Sequence, residues 1–453
     1  MEEYRDKNIL IVGMARSGMA SAKTMRKLGA HVYMNDSKSA NELNKEIKEL
    51  ESDGVNFYLG ESPDALLPQM DMIVVSPGVP LDAPFVSKAK KLGLDVVGEM
   101  ELAYRLCSAP IIAITGTNGK TTTTTLVGRI IEAGGYTTHV VGNIGIPFID
   151  KVLDIDKNDV VVVEASSFQL ESVDRFKPHI GAILNITEDH LDRHKTMEKY
   201  MHIKGRIFEN QDTTDYMVIN ADDYKLKGFI PLIQGEVVMF GRNTQQTPGV
   251  WIEEGHIVMD MGRGKEKICL VEDVFIPGAH NLENALAATA ISGIMDIAPE
   301  IIGEILKTFK GVSHRIEFVD NIEGVNFYND SKGTNPDAAI KAIQAMRGHT
   351  IVIAGGMDKG TSFDSFIEAF DDKVIHMVVL GETADKLILT ARRRGFSNIH
   401  RVNSIEEAVL KAFSLATQGE NILLSPACAS WDMFASYEER GEVFKEAVRA
   451  LRR

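Results

Sequence analysis

Lys120 and Thr121 are the residues best placed to do chemistry. They stand where an apolar run, residues 111–114 (Ile-Ile-Ala-Ile), gives way through Thr115-Gly116-Thr117-Asn118-Gly119 to a helical pattern that continues through Thr122. A buried strand that breaks into small residues and re-forms as a helix aims successive backbone N–H groups, with the helix N-terminus, at one point that attracts phosphate. Lys120 then reaches the outer phosphates of a nucleotide, and the Thr121 hydroxyl ligates a bridging Mg²⁺. Ile114 replaces the first Gly of the usual Gly-x-x-x-x-Gly-Lys-[Ser/Thr] loop, so this variant draws its flexibility from Gly116.

Other candidates follow strand-like runs. Glu164 ends the run 159–163 and leads into Ala165-Ser166-Ser167-Phe168-Gln169; a carboxylate at a strand end beside a phosphate loop suits Mg²⁺ coordination. Residues 187–194 (Thr-Glu-Asp-His-Leu-Asp-Arg-His) crowd oxygen and imidazole ligands, His190 among them, behind the strand pattern 180–185. Lys204 lies on an amphipathic helical pattern, residues 197–208, where spacing alone reads it as a solvated charge. Asn281 and Asn284 open an Ala-rich helix on adjoining faces, from which both can hydrogen-bond a ligand. This set suits phosphoryl transfer by positioning and charge neutralisation. With no Ser-His-Asp elbow and no reactive Cys motif, the acceptor is a substrate.

The elements that must position these residues repeat one theme. A strand at 7–12, the turn Gly13-Met14-Ala15-Arg16-Ser17-Gly18, a helix to about 28 and a strand 31–35 ending at Asp36 make a Rossmann-like opening. Ala15 replaces its middle Gly, which weakens the case for NAD and leaves a nucleotide-sugar phosphate as an equal candidate. Another strand, 71–75, closes on Ser76-Pro77-Gly78. Residues 216–272 read as peripheral sheet. From Arg315, which opens a strand in this reading, the pattern resets to a third α/β unit with strands near 349–354, 373–380, 398–402 and 421–424. The expected architecture is α/β in three domains: a Rossmann-like unit (1–99), a central phosphate-loop unit with a parallel sheet (100–311) and a Rossmann-like C-terminal unit (312–453).

Composition narrows the class. A chain of 453 residues exceeds a single core, and its net charge of −15 argues against a nucleic-acid surface. Anionic substrates must be gathered by local Arg, Lys, Mg²⁺ and helix N-termini. The three scattered Cys imply neither disulfides nor zinc. No signal pattern and no membrane-length apolar run is found, so a cytoplasmic location is expected.

Six stretches carry a resemblance: residues 115–122, 164–171 (Glu-Ala-Ser-Ser-Phe-Gln-Leu-Glu), 185–192 (Asn-Ile-Thr-Glu-Asp-His-Leu-Asp), 280–284 (His-Asn-Leu-Glu-Asn), His314-Arg315 and 329–335 (Asn-Asp-Ser-Lys-Gly-Thr-Asn). Together with residues 425–432 (Ser-Pro-Ala-Cys-Ala-Ser-Trp-Asp), they resemble the Mur ligase family of peptidoglycan synthesis over the whole chain. The resemblance implies ATP-dependent addition of D-glutamate to UDP-N-acetylmuramoyl-L-alanine through an acyl phosphate; a monomer is expected, and the net charge argues against a nucleic-acid partner. It implies that Gly116, Thr117, Asn118, Gly119, Lys120, Thr121 and Thr122 hold the ATP phosphates, with Asn281, Asn284, Arg315 and Asp330 also on the nucleotide. Thr121 and Glu164 would serve one Mg²⁺, and His190 and an N-carbamylated Lys204 a second, with Mn²⁺ an alternative ion. That role for Lys204 comes from the family and overrides the reading from spacing. Arg16, Ser17, Asp36, Ser37, Ser76, Gly78, Asn143, Ser166 and Gln169 would hold the UDP-sugar; Lys332, Thr334, Lys359, Ser430 and Tyr437 would place D-glutamate. Lys120, Glu164, His190, Lys204 and Lys332 form the implied catalytic set. The sequence departs from the family where Lys38 stands for a usual Arg and Tyr437 for a frequent Phe.

Three other readings compete. A sister amide ligase lacks its Asp-Asn-Pro-Arg type motif here, and the Rossmann-like opening disfavours a folate enzyme. A nicotinamide oxidoreductase leaves the central loop unexplained. A non-catalytic nucleotide-binding protein leaves His190 and the third unit's loops without a role.

Overall fold

The computed structural model describes residues 2–452; Met1, Arg453 and the Asp192 side chain lie outside the description. The chain divides into two compact units, Met1–Asp273 with Glu283–Leu306, and Val274–Leu282 with Lys307–Arg453.

The first unit holds two sheets. β1 (Asn8–Val12), β2 (His31–Asp36), β3 (Asn56–Leu59), β4 (Met72–Val75) and β5 (Asp95–Gly98) form a parallel sheet in the order β3-β2-β1-β4-β5. Alternate residues of β1 serve opposite faces: Ile9 and Ile11 join one apolar core, Leu10 and Val12 another. Helices therefore cover both sides, which is why the strand reads as a continuous apolar run. β3 and β5 are short flanking strands that the sequence reading did not resolve; their four residues each carry little periodic signal.

The second sheet of this unit comprises β6 (Ile111–Thr115), β7 (Thr138–Gly142), β8 (Val160–Glu164), β9 (Ile180–Ile183), β10 (Tyr216–Asn220), β11 (Glu236–Phe240), β12 (Gly249–Glu253), β13 (His256–Asp260) and β14 (Glu266–Leu270). Their order is β14-β13-β12-β11-β10-β9-β6-β8-β7. Residues 216–272 form the outer half of this sheet: β10 to β12 extend the parallel array, and β13 and β14 finish its edge antiparallel. β6 lies between β8 and β9, with Ile114 opposite Glu164 and Thr115 opposite Ile183. That register brings the ends of three strands to one place.

A single apolar core runs from the first sheet into the second, including Ile9, Val32, Met100, Phe148, Phe176 and Tyr200. Polar ties reinforce it. The Glu101 carboxylate accepts from the Asp174, Arg175 and Phe176 amides at 2.9, 3.1 and 3.0 Å, and Glu99 Oε1 accepts from Ile149 N at 2.8 Å.

The second unit folds around β15 (Glu317–Ile322), β16 (Val325–Asn329), β17 (Thr350–Ala354), β18 (Val374–Val379), β19 (Ile399–Arg401) and β20 (Asn421–Leu424), ordered β15-β16-β20-β17-β18-β19. All pairs are parallel except the β15–β16 hairpin. Val352 and Ala354 face one core and Ile351 and Ile353 the other, again the doubly wound pattern. Arg315 does not open β15. It sits in a turn between His314 and Ile316, whose φ values of +63° and +45° are incompatible with an extended strand, and β15 begins at Glu317.

Candidate functional site

The phosphate loop follows β6 directly. Gly119, at φ +84°, is the N-cap of the helix Lys120–Ala133; a Cβ there would lie 2.2 Å from Asn284 Oδ1, so glycine alone fits. The loop is pinned to the segment after β9. Thr117 N donates to Asn185 O and Asn118 N to Asn185 Oδ1, each at 2.9 Å. Thr117 Oγ1 donates to Thr187 O at 3.1 Å and lies 3.1 Å from the Tyr200 hydroxyl. Two amines converge on one carbonyl: Lys120 Nζ donates to Gly116 O at 2.9 Å and Lys204 Nζ to the same oxygen at 2.8 Å. Lys120 also reaches Thr117 O at 2.9 Å, so it already faces the loop interior. Thr121 and Thr122 occupy the helix's first turn, both buried.

Lys204 is not the solvated charge that its spacing suggested. It is 1 % exposed on the helix Met197–Gly205, its Nζ 4.8 Å from the Tyr200 ring centre. Burial first, and the neighbouring Lys120 charge second, push its amine well below the ordinary lysine range. Tyr200 was not singled out by sequence, and burial pushes its phenol up to about 12.

Glu164, 2 % exposed, ends β8 beside the loop. Asn143 Nδ2 donates to its Oε1 at 2.8 Å, whereas its Oε2 has no hydrogen-bond partner. A buried carboxylate oxygen without a donor is costly unless a cation completes it, so the donor set fits a divalent ion. His190 stands apart in character: it is exposed, adopts φ +52°, and contacts Asp189 (Nε2–Oδ2 3.5 Å) and the Phe168 ring (4.8 Å between centres). Among the described residues no three His, Cys, Asp or Glu gather as a metal cluster. An ion here would combine Glu164 with hydroxyl, water and phosphate oxygens, as Mg²⁺ usually does. Ser166 and Gln169 form a capping box on the helix Ser167–Leu170.

In the first sheet, Asp36 accepts from Met14 N at 2.8 Å and from Lys38 N at 3.0 Å, which sets the shape of the Gly13–Gly18 turn. Ser76 Oγ donates to Gly13 O at 2.9 Å, and a Cβ on Gly18 would meet that same oxygen at 1.9 Å. Arg16 and Ser17 open the helix Arg16–Lys27; Ser37 and Gly78 are exposed on neighbouring strand-end turns. A cavity of about 410 Å³ is lined by Met14, Ala15, Arg16, Lys23, Ile146 and Pro147, among others. Arg16 belongs to it, whereas Ser17, Asp36, Ser37, Ser76 and Gly78 do not.

The second unit gathers its own set. Asp330 accepts from Ser425 Oγ at 2.7 Å and Ile316 N at 3.2 Å, and burial raises its carboxyl to about 7. Arg315, next to Ile316, contributes an opposing pull on that carboxyl. Lys332 Nζ lies 5.6 Å from the Tyr437 ring centre and Lys359 Nζ 4.8 Å from that of Trp431. Thr334 is half-buried, Ser430 buried at the end of the β20 loop, and Asn281 Nδ2 donates to Pro277 O at 2.7 Å. Arg440 escaped the sequence reading because one arginine in a helix rich in charges gives no signal. It is buried, donates to Ser331 Oγ, Ser331 O and Cys428 O, and so ties the loops after β16 and β20 together.

Comparison with known proteins accords with this layout. Residues 7–98 match the Mur ligase MurD-like N-terminal domain, residues 114–292 the Mur ligase middle domain, and residues 314–428 the Mur ligase glutamate ligase domain. The chain is 51 % identical to the UDP-N-acetylmuramoylalanine--D-glutamate ligase of Alkaliphilus oremlandii (strain OhILAs), over 99 % of both chains. It is 48 % identical to the protein of that name from Clostridioides difficile (strain 630), over 99 % of this chain and 100 % of the relative. Among solved structures, the UDP-N-acetylmuramate-alanine ligase MurC of Thermotoga maritima superposes with a TM-score of 0.59 at 20 % identity, covering 98 % of this chain and 100 % of the other. Three domain matches in sequence order, and full-length identity near one half, leave one assignment: the chain belongs to the Mur ligase family.

Proposed function

We propose that this protein joins D-glutamate to UDP-N-acetylmuramoyl-L-alanine at the cost of ATP. The observation that carries the reading is the convergence of Lys120 and Lys204 on Gly116, beside a buried Glu164 with one unmet oxygen. The names of the relatives supply the substrates. Amides of residues 116–121 and Lys120 hold the ATP phosphates, and Asn281, Asn284, Arg315 and Asp330 contact the nucleotide. Glu164 and Thr121 would hold one Mg²⁺, and His190 and Lys204 a second, with Mn²⁺ an alternative; bound there, such ions would supply charge neutralisation for phosphoryl transfer. Lys204 is N-carbamylated in the active form, a reading supported by its burial and by hydrogen bonds that go to neutral oxygens.

The substrate carboxylate attacks the γ-phosphorus, the bond to ADP breaks, and an acyl phosphate forms. The amine of D-glutamate, held by Lys332, Thr334, Lys359, Ser430 and Tyr437, attacks the acyl carbon after losing a proton, and phosphate departs from the tetrahedral intermediate. Arg16, Ser17, Asp36, Ser37, Ser76, Gly78, Asn143, Ser166 and Gln169 orient the UDP-sugar. The protein works as a cytoplasmic monomer; no helix among the described residues is long and apolar enough to cross a membrane.

The test is ADP release with UDP-N-acetylmuramoyl-L-alanine present, adding D-glutamate, L-lysine, diaminopimelate, or tetrahydrofolate with glutamate in turn. Release with D-glutamate alone is expected; dependence on another acceptor would move the assignment.

A further inference from the structure

Arg193 lies outside every role assigned above, yet it touches three segments that carry such roles. Its guanidinium donates through Nη2 to Val79 O at 3.0 Å and to Glu171 Oε2 at 2.8 Å, with Nε 3.3 Å from the same carboxylate oxygen. Val79 closes the turn that presents Ser76 and Gly78, its own N–H donating to Ser76 O at 2.9 Å. Glu171 immediately follows the helix that carries Gln169. The third contact is aromatic: Arg193 Cζ stands 5.7 Å from the Phe168 ring centre, and that ring packs on His190 at 4.8 Å and on His194 at 5.5 Å. The side chains of Arg193 and Glu171 are 17 % and 15 % exposed, so the pair is largely shielded from solvent.

A planar, permanently charged fork that bonds a carboxylate and a carbonyl while stacking on a ring fixes the relative positions of all three. Lysine supplies the charge without the fork. Removing the group takes away the bond from the 187–194 segment to Val79 O and strips the largely shielded Glu171 carboxylate of these donors.

We propose that Arg193 is a positioning residue that sets the sugar-binding turn at 76–80 and the His190 segment as one body, so that UDP-sugar affinity and divalent-cation affinity depend on each other. This rests on the ligase reading for the identity of the ligands. The geometry of the strut does not.

The test uses the full chain as wild type, Arg193→Met, Arg193→Lys and Glu171→Gln. ADP release is measured against UDP-N-acetylmuramoyl-L-alanine and, separately, against MgCl₂, and hydrogen exchange is followed in residues 76–80 and 187–194 without ligands. Arg193→Met is expected to raise both half-saturating concentrations about tenfold, with KM for ATP within twofold, and to speed exchange in both segments. Arg193→Lys should recover part of each, and Glu171→Gln should shift both in the same direction by less. Movement of only one half-saturation, or a change confined to kcat, would overturn the proposal, as would exchange that quickens in only one segment. Should Arg193→Met fail to fold, Glu171→Gln decides, and no shift in either constant refutes the strut. A wild type without substrate-dependent ADP release defeats the ligase reading instead, and hydrogen exchange then judges the strut alone.

Discussion

Lys204 shows how far a residue's surroundings can depart from its spacing. Spacing put it on a polar helix face, yet the fold buries it against Gly116 O and the Tyr200 ring. Only family resemblance flagged it, because burial of a helical lysine depends on what covers the helix. Lys204→Ala is expected to lose activity by at least about 100-fold, and millimolar acetate or another short carboxylic acid to restore part of it by supplying the missing oxygens. Full activity in the unrescued variant would refute the carbamate. Glu99 bears on stability. It is 1 % exposed, and burial, opposed by hydrogen bonds from Ile149, Gln169 and Phe148, raises its carboxyl from 4.5 to about 7. The folded state thus binds the proton more tightly than the unfolded chain. The stability from this residue is fully present below about pH 4.5 and is lost as pH rises through about 7, by something on the order of 3 kcal/mol. Glu99→Gln, which keeps the acceptor for Ile149 N, is expected to flatten the decline of Tm between about pH 5 and 7.5. Asp330, shifted the same way in the other compact unit, should leave its own pH-dependent decline in the transition of that unit. An unchanged slope in Glu99→Gln would discard this account.

Among the elements, the join of β6, loop and helix was legible because an apolar run, a Gly-Lys-Thr punctuation and a helical pattern follow one another without ambiguity. Glu164 is legible as a strand-end carboxylate beside the loop, and the register of β8 on β6 puts it there; that Asn143 occupies one of its oxygens has no mark in the sequence. Arg315 was misplaced because a turn with two left-handed non-glycine residues has no compositional mark; His314 and Ile316 look like ordinary strand residues. Gly119 makes the element-level argument testable. Gly119→Ala adds a Cβ at positive φ against Asn284 Oδ1, and should cost about 1–3 kcal/mol of stability and weaken nucleotide binding more than ten-fold. Calorimetric titration with ADP and Mg²⁺ reads the second effect, and wild-type affinity would show that the loop tolerates the side chain.

For the whole molecule, two compact units with separate cores predict unfolding in more than one step. The two tryptophans report on different units, Trp251 buried in the first and Trp431 65 % exposed in the second. Fluorescence of a Trp431→Phe variant should therefore give a denaturation midpoint distinct from that of far-UV circular dichroism, and coincident curves would argue for a single cooperative block. The three α/β segments were readable in the sequence from the resetting of strand and helix patterns. That the first two share one apolar interior was not, since a periodic pattern names an element's buried face without naming the neighbour that buries it. That shared interior, joining Ile9 and Val32 to Phe148 and Phe176, bears on how relatives of this protein can be recombined. A chimera spliced at residue 98 would part side chains that pack as one body and bring together surfaces never selected to fit. Productive exchanges should therefore transplant residues 7–98 together with the 148–176 faces they rest on, and grafts of the leading segment alone should precipitate.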